Sequence, residues 1–401
     1  MADGPIPRTG PAMSELGRID RGAIAIAQGK VLWVGPAARA RASVTLRHGG
    51  ATRHFPGGVA LPGLVDAHTH LVFAGSRERE VEQKVRGVSY LEIARSGGGL
   101  FQTVRATRTA SPASLYEQAL DRLRRMVRWG TTSLEVKSGY GLNWKTEQRL
   151  LNVIRRLGRI GGPTIVPTFL GGHAYPPEYA DRHEEYLREL ITTQLPEVAR
   201  RRLARYCDVF CEKGFFSASE SRRLLRTAQG LGMGVKIHAD EFTECGGARL
   251  AAELRADSAD HLLEAGVEGR KALARAGVPA VLLPVTPFAS LSARRPPGRE
   301  MVDEGVAVAL GTDLSPNSWV EAMPLVLAHA VYGARLTPQE ALTAATVNSA
   351  HAIGLPDRGR LVPGLPADIV VMDVPSAEQV AYRLGHGPPA AVYLSGQEPG
   401  F

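Results

Sequence analysis

The sequence predicts a (β/α)8 TIM-like barrel of the α/β class, with a small β-sandwich built from both termini. Short β-branched or apolar runs alternate with longer Ala/Leu/Arg/Glu-rich stretches from about Val59 to Val347. That alternation supplies eight strand candidates, the number that closes a parallel barrel. The two chain ends instead read as Gly- and Pro-punctuated β runs, neither long enough for a domain of its own.

In order, the strand candidates are Gly63–His68, Thr131–Val136, Thr164–Leu170, Cys207–Cys211, Gly234–His238, Asp257–His261, Ala280–Leu283 and Val306–Gly311. Helix-like segments lie between them: Ser114–Trp129, Lys145–Leu157, Tyr179–Tyr206, Ser219–Leu231, Thr243–Leu254 and Leu263–Ala276. Several open on Ser, Thr or Asp, as N-caps do. An open doubly wound sheet is the alternative, but no Gly-x-Gly-x-x-Gly follows an early strand. At the ends, Gly22–Val34, Ala367–Asp373 and Ala391–Leu394 are β-type. Residues 1–58 and 358–401 are therefore assigned to the sandwich and 59–357 to the barrel.

Composition narrows the function. The net charge of +8 comes mostly from arginine, in short scattered runs such as Ala199–Arg205 and Leu291–Arg299. A nucleic-acid partner requires a concentrated basic patch, so none is expected. The three cysteines, Cys207, Cys211 and Cys245, make no disulfide framework and read as free thiols in a reducing cytosol. The N-terminal MADGPIPRTGPAM has no apolar core of a signal peptide. No run approaches the ~20 apolar residues of a membrane span. The reading is a cytoplasmic protein with no membrane contact.

The chemistry starts at VDAHTH, where an apolar run ends in Asp66, His68, Thr69 and His70. Residues i and i+2 on a strand share a face, so both imidazoles can enter one cavity. They fall at the C-terminal end of the first barrel strand, where barrel active sites are built. Other strand ends add to them: His238 in KIHADEF, His261 in ADSADHL and Asp313 in VALGTDLSPNS. His68, His70, His238 and Asp313 supply N and O ligands to one divalent ion and leave a position open for water. Such an ion lowers the pKa of water from about 15.7 toward about 7. Glu241 and His261 are placed to move the proton. Asp240 competes with Glu241 for that role, and spacing alone does not decide.

Six segments resemble the imidazolonepropionase family of the amidohydrolase superfamily: FAGSREREVEQKVRGVSYLEI, GGGLFQTVRATR, EVKSGYGL, PTFLGGHAYPPEY, VFCEKGFFS and KIHADEFT. The superfamily likeness spans about Val59 to Pro375. The resemblance implies zinc or iron, one Zn2+ or Fe2+/Fe3+ per subunit, on His68, His70, His238 and Asp313. It implies hydrolysis of the ring C–N bond of 4-imidazolone-5-propanoate in histidine breakdown. Glu241 becomes the base rather than Asp240, and His261 orients or deprotonates the water. Arg77 pairs with the substrate propionate, as a guanidinium fork suits a carboxylate. Tyr140 and His173 touch the imidazolone ring, His173 donating to its carbonyl oxygen. A homodimer is also implied. One stretch departs: the family has Asn-Pro-Gly and then Ser or Thr, but this chain has Ser315, Pro316, Asn317 and Ser318. That loop is expected to line the pocket, and loss of the glycine to alter its turn.

Three other readings remain beside this one. The His238-x-x-Glu241 pair also suits a deaminase of a heterocycle. A non-catalytic scaffold relative would have lost metal ligands, and all four are here. A second metal bridged by a modified lysine would need Lys137 or Lys213. Neither is expected to end a strand in a bridging context, so one metal is favoured.

Overall fold

The structure, a computed structural model, describes residues 4–88, 92–93, 96–385 and 387–401. Residues 89–91, within the first family-like segment, lie outside the described residues.

The chain starts with an antiparallel hairpin, β1 (Gly22–Ala27) and β2 (Lys30–Pro36). Its two-residue turn, Gln28-Gly29, has φ of 51° and 76°, the mirror-image turn that matches strand twist. Then follow β3 (Val59–Pro62), β4 (Leu64–Asp66), β5 (Thr131–Lys137), β6 (Thr164–Gly172), β7 (Tyr206–Cys211), β8 (Gly234–Ala239), β9 (Ser258–His261), β10 (Ala280–Leu282) and β11 (Val308–Leu310). Two strands remain, β12 (Ile369–Met372) and β13 (Ala391–Tyr393).

Strands β4 to β11 form one parallel sheet in sequence order. Its two edges meet: Ala67 N donates to Leu310 O (3.2 Å), Asp313 N to His68 O (3.0 Å) and His70 N to Leu314 O (2.9 Å). The expected eight-strand barrel is present. Helices wrap it between strands, and several have the side-chain caps that the sequence signals. Ser111 caps Pro112–Arg128, Asn143 caps Trp144–Leu157, and Ser217 forms a capping box with Glu220.

The small sheets join both chain ends. Strand β12 pairs antiparallel with β13 and with β3. The hairpin packs on them, with Val31 N donating to Leu365 O (2.9 Å). Val31, Ala367, Ile369 and Val371 make the apolar layer between. The junction at 58/59 shifts, because β3 belongs to the small sheet. Gly63 N bonds Asp368 O (2.8 Å) and Leu64 N bonds Gly130 O (3.0 Å), so the chain crosses into the barrel at Gly63. A Cβ there would sit 2.0 Å from Thr132 Oγ1, so only glycine allows the crossing.

Three helices differ from expectation. Tyr179–Tyr206 is not one helix: it runs as His183–Glu189, a π turn over Leu190–Gln194, and Leu195–Arg200. Pro196 has no N–H for the i−4 carbonyl, and a widened turn absorbs the missing bond. Tyr206 already belongs to β7. The helices predicted from Thr243 and Leu263 start later, at Gly247 and Val267, each after a glycine N-cap, Gly246 and Gly266. Among the described residues no helix is long and apolar enough to cross a membrane.

Candidate active site

The barrel's C-terminal rim gathers the predicted side chains. After β4 the backbone stays extended, so His68 and His70 share a face. Thr69 between them donates to Glu135 O (2.6 Å) on the neighbouring strand. Asp66 ties this strand end to the last one: Oδ1 accepts from Thr312 N (2.9 Å) and Oδ2 from Thr312 Oγ1 (2.6 Å).

His68 Nε2 lies 3.3 Å from His70 Nε2 and 3.7 Å from Asp313 Oδ1; His70 Nε2 is 3.6 Å from the same oxygen. Four ligands at zinc-like bond lengths in a tetrahedron are about 3.4 Å apart, so these spacings fit one ion. His68, His238 and His261 make a second group with ligating atoms within 4.8 Å of one another. His238 Nε2 is buried with no hydrogen-bond partner, as an atom meant for a ligand would be. Burial holds His68, His70 and His238 well below the usual imidazole range, so they are neutral, the ligating form. Burial pushes Asp313 up to about 7, with Asp66 and Asp260 adding to it and the Thr286 hydroxyl opposing. A bound cation removes that penalty. The residues fit a metal.

Glu241 and His261 stand together, Oε1 to Nδ1 at 3.6 Å. Burial, then Asp313 and Glu212, raises the Glu241 carboxyl well above its ordinary value. Asp240 faces elsewhere. Its Oδ1 accepts from Cys245 N and Gly247 N, and its Oδ2 from Ala248 N, each at 2.9 Å. That carboxylate secures the start of helix Gly247–Leu254. The backbone is turned left-handed at Asp240, His261, Leu262 and Asp313, with φ between 49° and 70°. Each such residue costs about 1–3 kcal/mol, and such strain clusters where side chains must be aimed.

Arg77 is buried rather than solvated. Its Nε and Nη2 both reach Glu80 Oε2 (2.9 and 2.7 Å), and Glu80 Oε1 accepts from Gly99 N (2.7 Å). His173 stacks on His70 at 5.1 Å, and Tyr140 sits 5.3 Å from His173 and 5.6 Å from His70. His173 Nδ1 bonds Gly139 O (3.0 Å). The loop with the altered motif closes on itself, with Ser315 N on Ser318 O (3.0 Å) and Ser318 N on Ser315 Oγ (3.2 Å). Ser318 Oγ is buried without a partner. Asn317 points to the rim, accepting from Lys84 Nζ (2.8 Å) and facing Ser290 Oγ (3.4 Å). Ser290, Glu241, His261 and Thr286 line a cavity of ≈ 150 Å3.

Sequence reasoning missed the layer beneath the imidazoles. Asp260 Oδ2 lies 2.6 Å from His68 Nδ1, and Asp208 Oδ2 3.0 Å from His238 Nδ1, the latter too oblique for a full hydrogen bond. Lys137 contacts both acids, and it is the last residue of β5, contrary to expectation. Burial would lower its pKa, but Asp208, Glu135 and Asp260 outweigh that and raise it. An ammonium so paired is unsuited to bridge a second metal. The available signal was period two: Lys137 follows Glu135, and His238 follows Lys236, on one face. Cys207 and Cys211 are buried free thiols as expected, and Cys245 is free and partly covered.

Residues 59–398 match the model of the amidohydrolase family. The imidazolonepropionase of Solibacter usitatus is 45% identical over 99% of this chain and 95% of its own. That of Symbiobacterium thermophilum is 45% identical over 98% and 93%. The chain belongs to the imidazolonepropionases of the amidohydrolase family. This amidohydrolase is therefore a hydrolase acting on C–N bonds with a His/Asp metal site. Solved structures share the fold of this amidohydrolase at low identity. A zinc-bound adenosine deaminase from Xanthomonas campestris has a TM-score of 0.68 at 21% identity, over 95% of this chain and 88% of that one. A 5-methylcytosine deaminase from Klebsiella pneumoniae has 0.72 at 14%, over 94% and 93%.

Proposed function

We propose that this amidohydrolase adds water to the ring carbonyl of 4-imidazolone-5-propanoate and opens the ring C–N bond. The product is N-formimidoyl-L-glutamate, the third step of L-histidine degradation. The observation that carries this reading is the near-full-length identity to imidazolonepropionases. The rim geometry supports it. His68, His70, His238 and Asp313 would hold one zinc or iron ion, which when bound acidifies water and polarises a carbonyl.

The chain's own groups do the rest. Glu241, its carboxyl raised by burial, takes the water's proton and delivers it to the departing ring nitrogen. His261, 3.6 Å away, orients the water. Arg77, held by Glu80, fixes the propionate tail. Tyr140 packs on the ring. His173 takes a different part from the one the resemblance implies. Its Nδ1 proton is committed to Gly139 O, so Nε2 offers a lone pair and accepts from a ring N–H. Ser315, Asn317 and Ser318 would close the far wall, where the Ser318 hydroxyl, buried without a partner, would donate to the carboxylate that ring opening creates. The enzyme acts as a cytoplasmic homodimer on a small molecule.

The test is to add 4-imidazolone-5-propanoate to protein loaded with Zn2+ or Fe2+, following imidazolone absorbance and ammonia together. Decay without ammonia is expected. Ammonia release would mean a deaminase, and a stable absorbance would end the proposal.

A further inference from the structure

The barrel interior under the metal site is charged, although such interiors are usually filled by Val, Ile and Leu. Glu135, Lys137, Asp208, Lys236 and Asp260 are all fully buried there. Lys137 Nζ lies 2.7 Å from Asp208 Oδ2, 2.8 Å from Glu135 Oε2 and 3.3 Å from Asp260 Oδ2. The two aspartate oxygens are shared. Asp260 Oδ2 also lies 2.6 Å from His68 Nδ1, and Asp208 Oδ2 lies 3.0 Å from His238 Nδ1. The other oxygens are pinned as well, Asp260 Oδ1 by Ser258 Oγ (2.6 Å) and Asp208 Oδ1 by Val209 N (2.7 Å). Both carboxylates are thus held at two points, with one ammonium common to the pair.

We propose that Lys137, Asp208 and Asp260 form the positioning unit of the metal centre. The ammonium fixes the two carboxylates; Asp260 accepts from His68 Nδ1, and Asp208 stands 3.0 Å from His238 Nδ1, near enough to favour the same tautomer. That sets the tautomer and turns Nε2 of His68 and of His238 toward the cation as lone pairs. A carboxylate on the far nitrogen also makes each imidazole a stronger ligand. Charge balance points the same way. Lys236 Nζ is 3.5 Å from Glu135 Oε1, so three carboxylates face two ammoniums. The interior is left with a negative excess that a cation relieves. A purely stabilising ion cluster would not share its oxygens with two ligand imidazoles. The inference rests on the metal-centre reading above.

The test titrates metal-stripped, full-length protein with Co2+. Affinity is read by competition with a chromogenic chelator, and ligand geometry by the visible d–d band. Asp260→Asn and Asp208→Asn are each expected to bind Co2+ about 10–100-fold more weakly, with a shifted band. The melting temperature of their metal-free form should change little. Lys137→Met should lose stability as well as affinity. Adding Asp208→Asn to it should restore metal-free stability but not affinity, separating positioning from folding. Parent-like affinity and spectrum in both aspartate variants would overturn the proposal. A parent protein that takes up no Co2+ would overturn the metal-centre reading itself.

Discussion

His173 Nδ1 lies 3.0 Å from the carbonyl oxygen of Gly139. A carbonyl oxygen only accepts, so the imidazole proton is on Nδ1 and the neutral ring presents Nε2 as an acceptor. A second proton on that ring would be repelled by a cation at His70, on which the ring stacks. In the proposed reaction His173 accepts from a ring N–H of the substrate. Losing one such bond costs about 1–1.5 kcal/mol, near tenfold in binding. His173→Ala should raise KM for 4-imidazolone-5-propanoate by about that factor, with kcat falling less. Steady-state kinetics check this; a large kcat loss at constant KM would restore the donor role.

Arg77 and Glu80 form a buried pair, with Nε and Nη2 donating to the same carboxylate oxygen. Charge-assisted bonds are worth about 1.5–3 kcal/mol, so Arg77→Ala should raise KM by about 10–100-fold and spare kcat. Arg77→Lys should not rescue it, because an ammonium cannot keep the forked geometry. If both variants keep the parent KM, the propionate is held elsewhere.

Asp240 and Glu241 are neighbours in different surroundings, Asp240 on the start of a helix and Glu241 beside His261. Asp240→Ala leaves three N–H groups unpaired at the start of helix Gly247–Leu254 and should cost about 1–3 kcal/mol of stability. Glu241→Gln should leave the melting temperature near the parent value while kcat falls by about 100-fold or more. Thermal denaturation and kcat on both variants decide it; the reverse pattern would move the base to Asp240.

Chelation should abolish turnover and lower the melting temperature, because a ligand that binds only the folded state stabilises it. Re-adding Zn2+ or Fe2+ should restore both, and the ion that restores more turnover is the working metal. In Asp313→Ala neither ion should restore turnover, since the proposed metal site would lose its carboxylate. Full recovery in that variant would remove Asp313 from the centre.

Much of the fold was legible because strand and helix periods are local. The eight barrel strands, the His68/His70 pair and the rim positions of His238, His261 and Asp313 all follow from counting residues along the chain. Local pattern also placed the termini in small sheets, yet it put β3 on the wrong side of the junction. Only pairing with β12, some three hundred residues later, reveals where Val59–Pro62 belongs. The break at Leu190–Gln194 was foreshadowed by Pro196 but outweighed by the helical pattern around it.

The site divides in the same way. Which residues fall at the barrel rim is settled by where the strands end, and the sequence by itself determined that much. Which of them meet, and what holds them, was decided by tertiary structure. Asp260 finds His68 across 192 residues and Lys137 finds Asp208 across 71. The Gly139 carbonyl chooses the tautomer of His173 across 34. Hydrogen bonds and buried charges depend on distances of a few ångströms in space, and closing the barrel creates those distances.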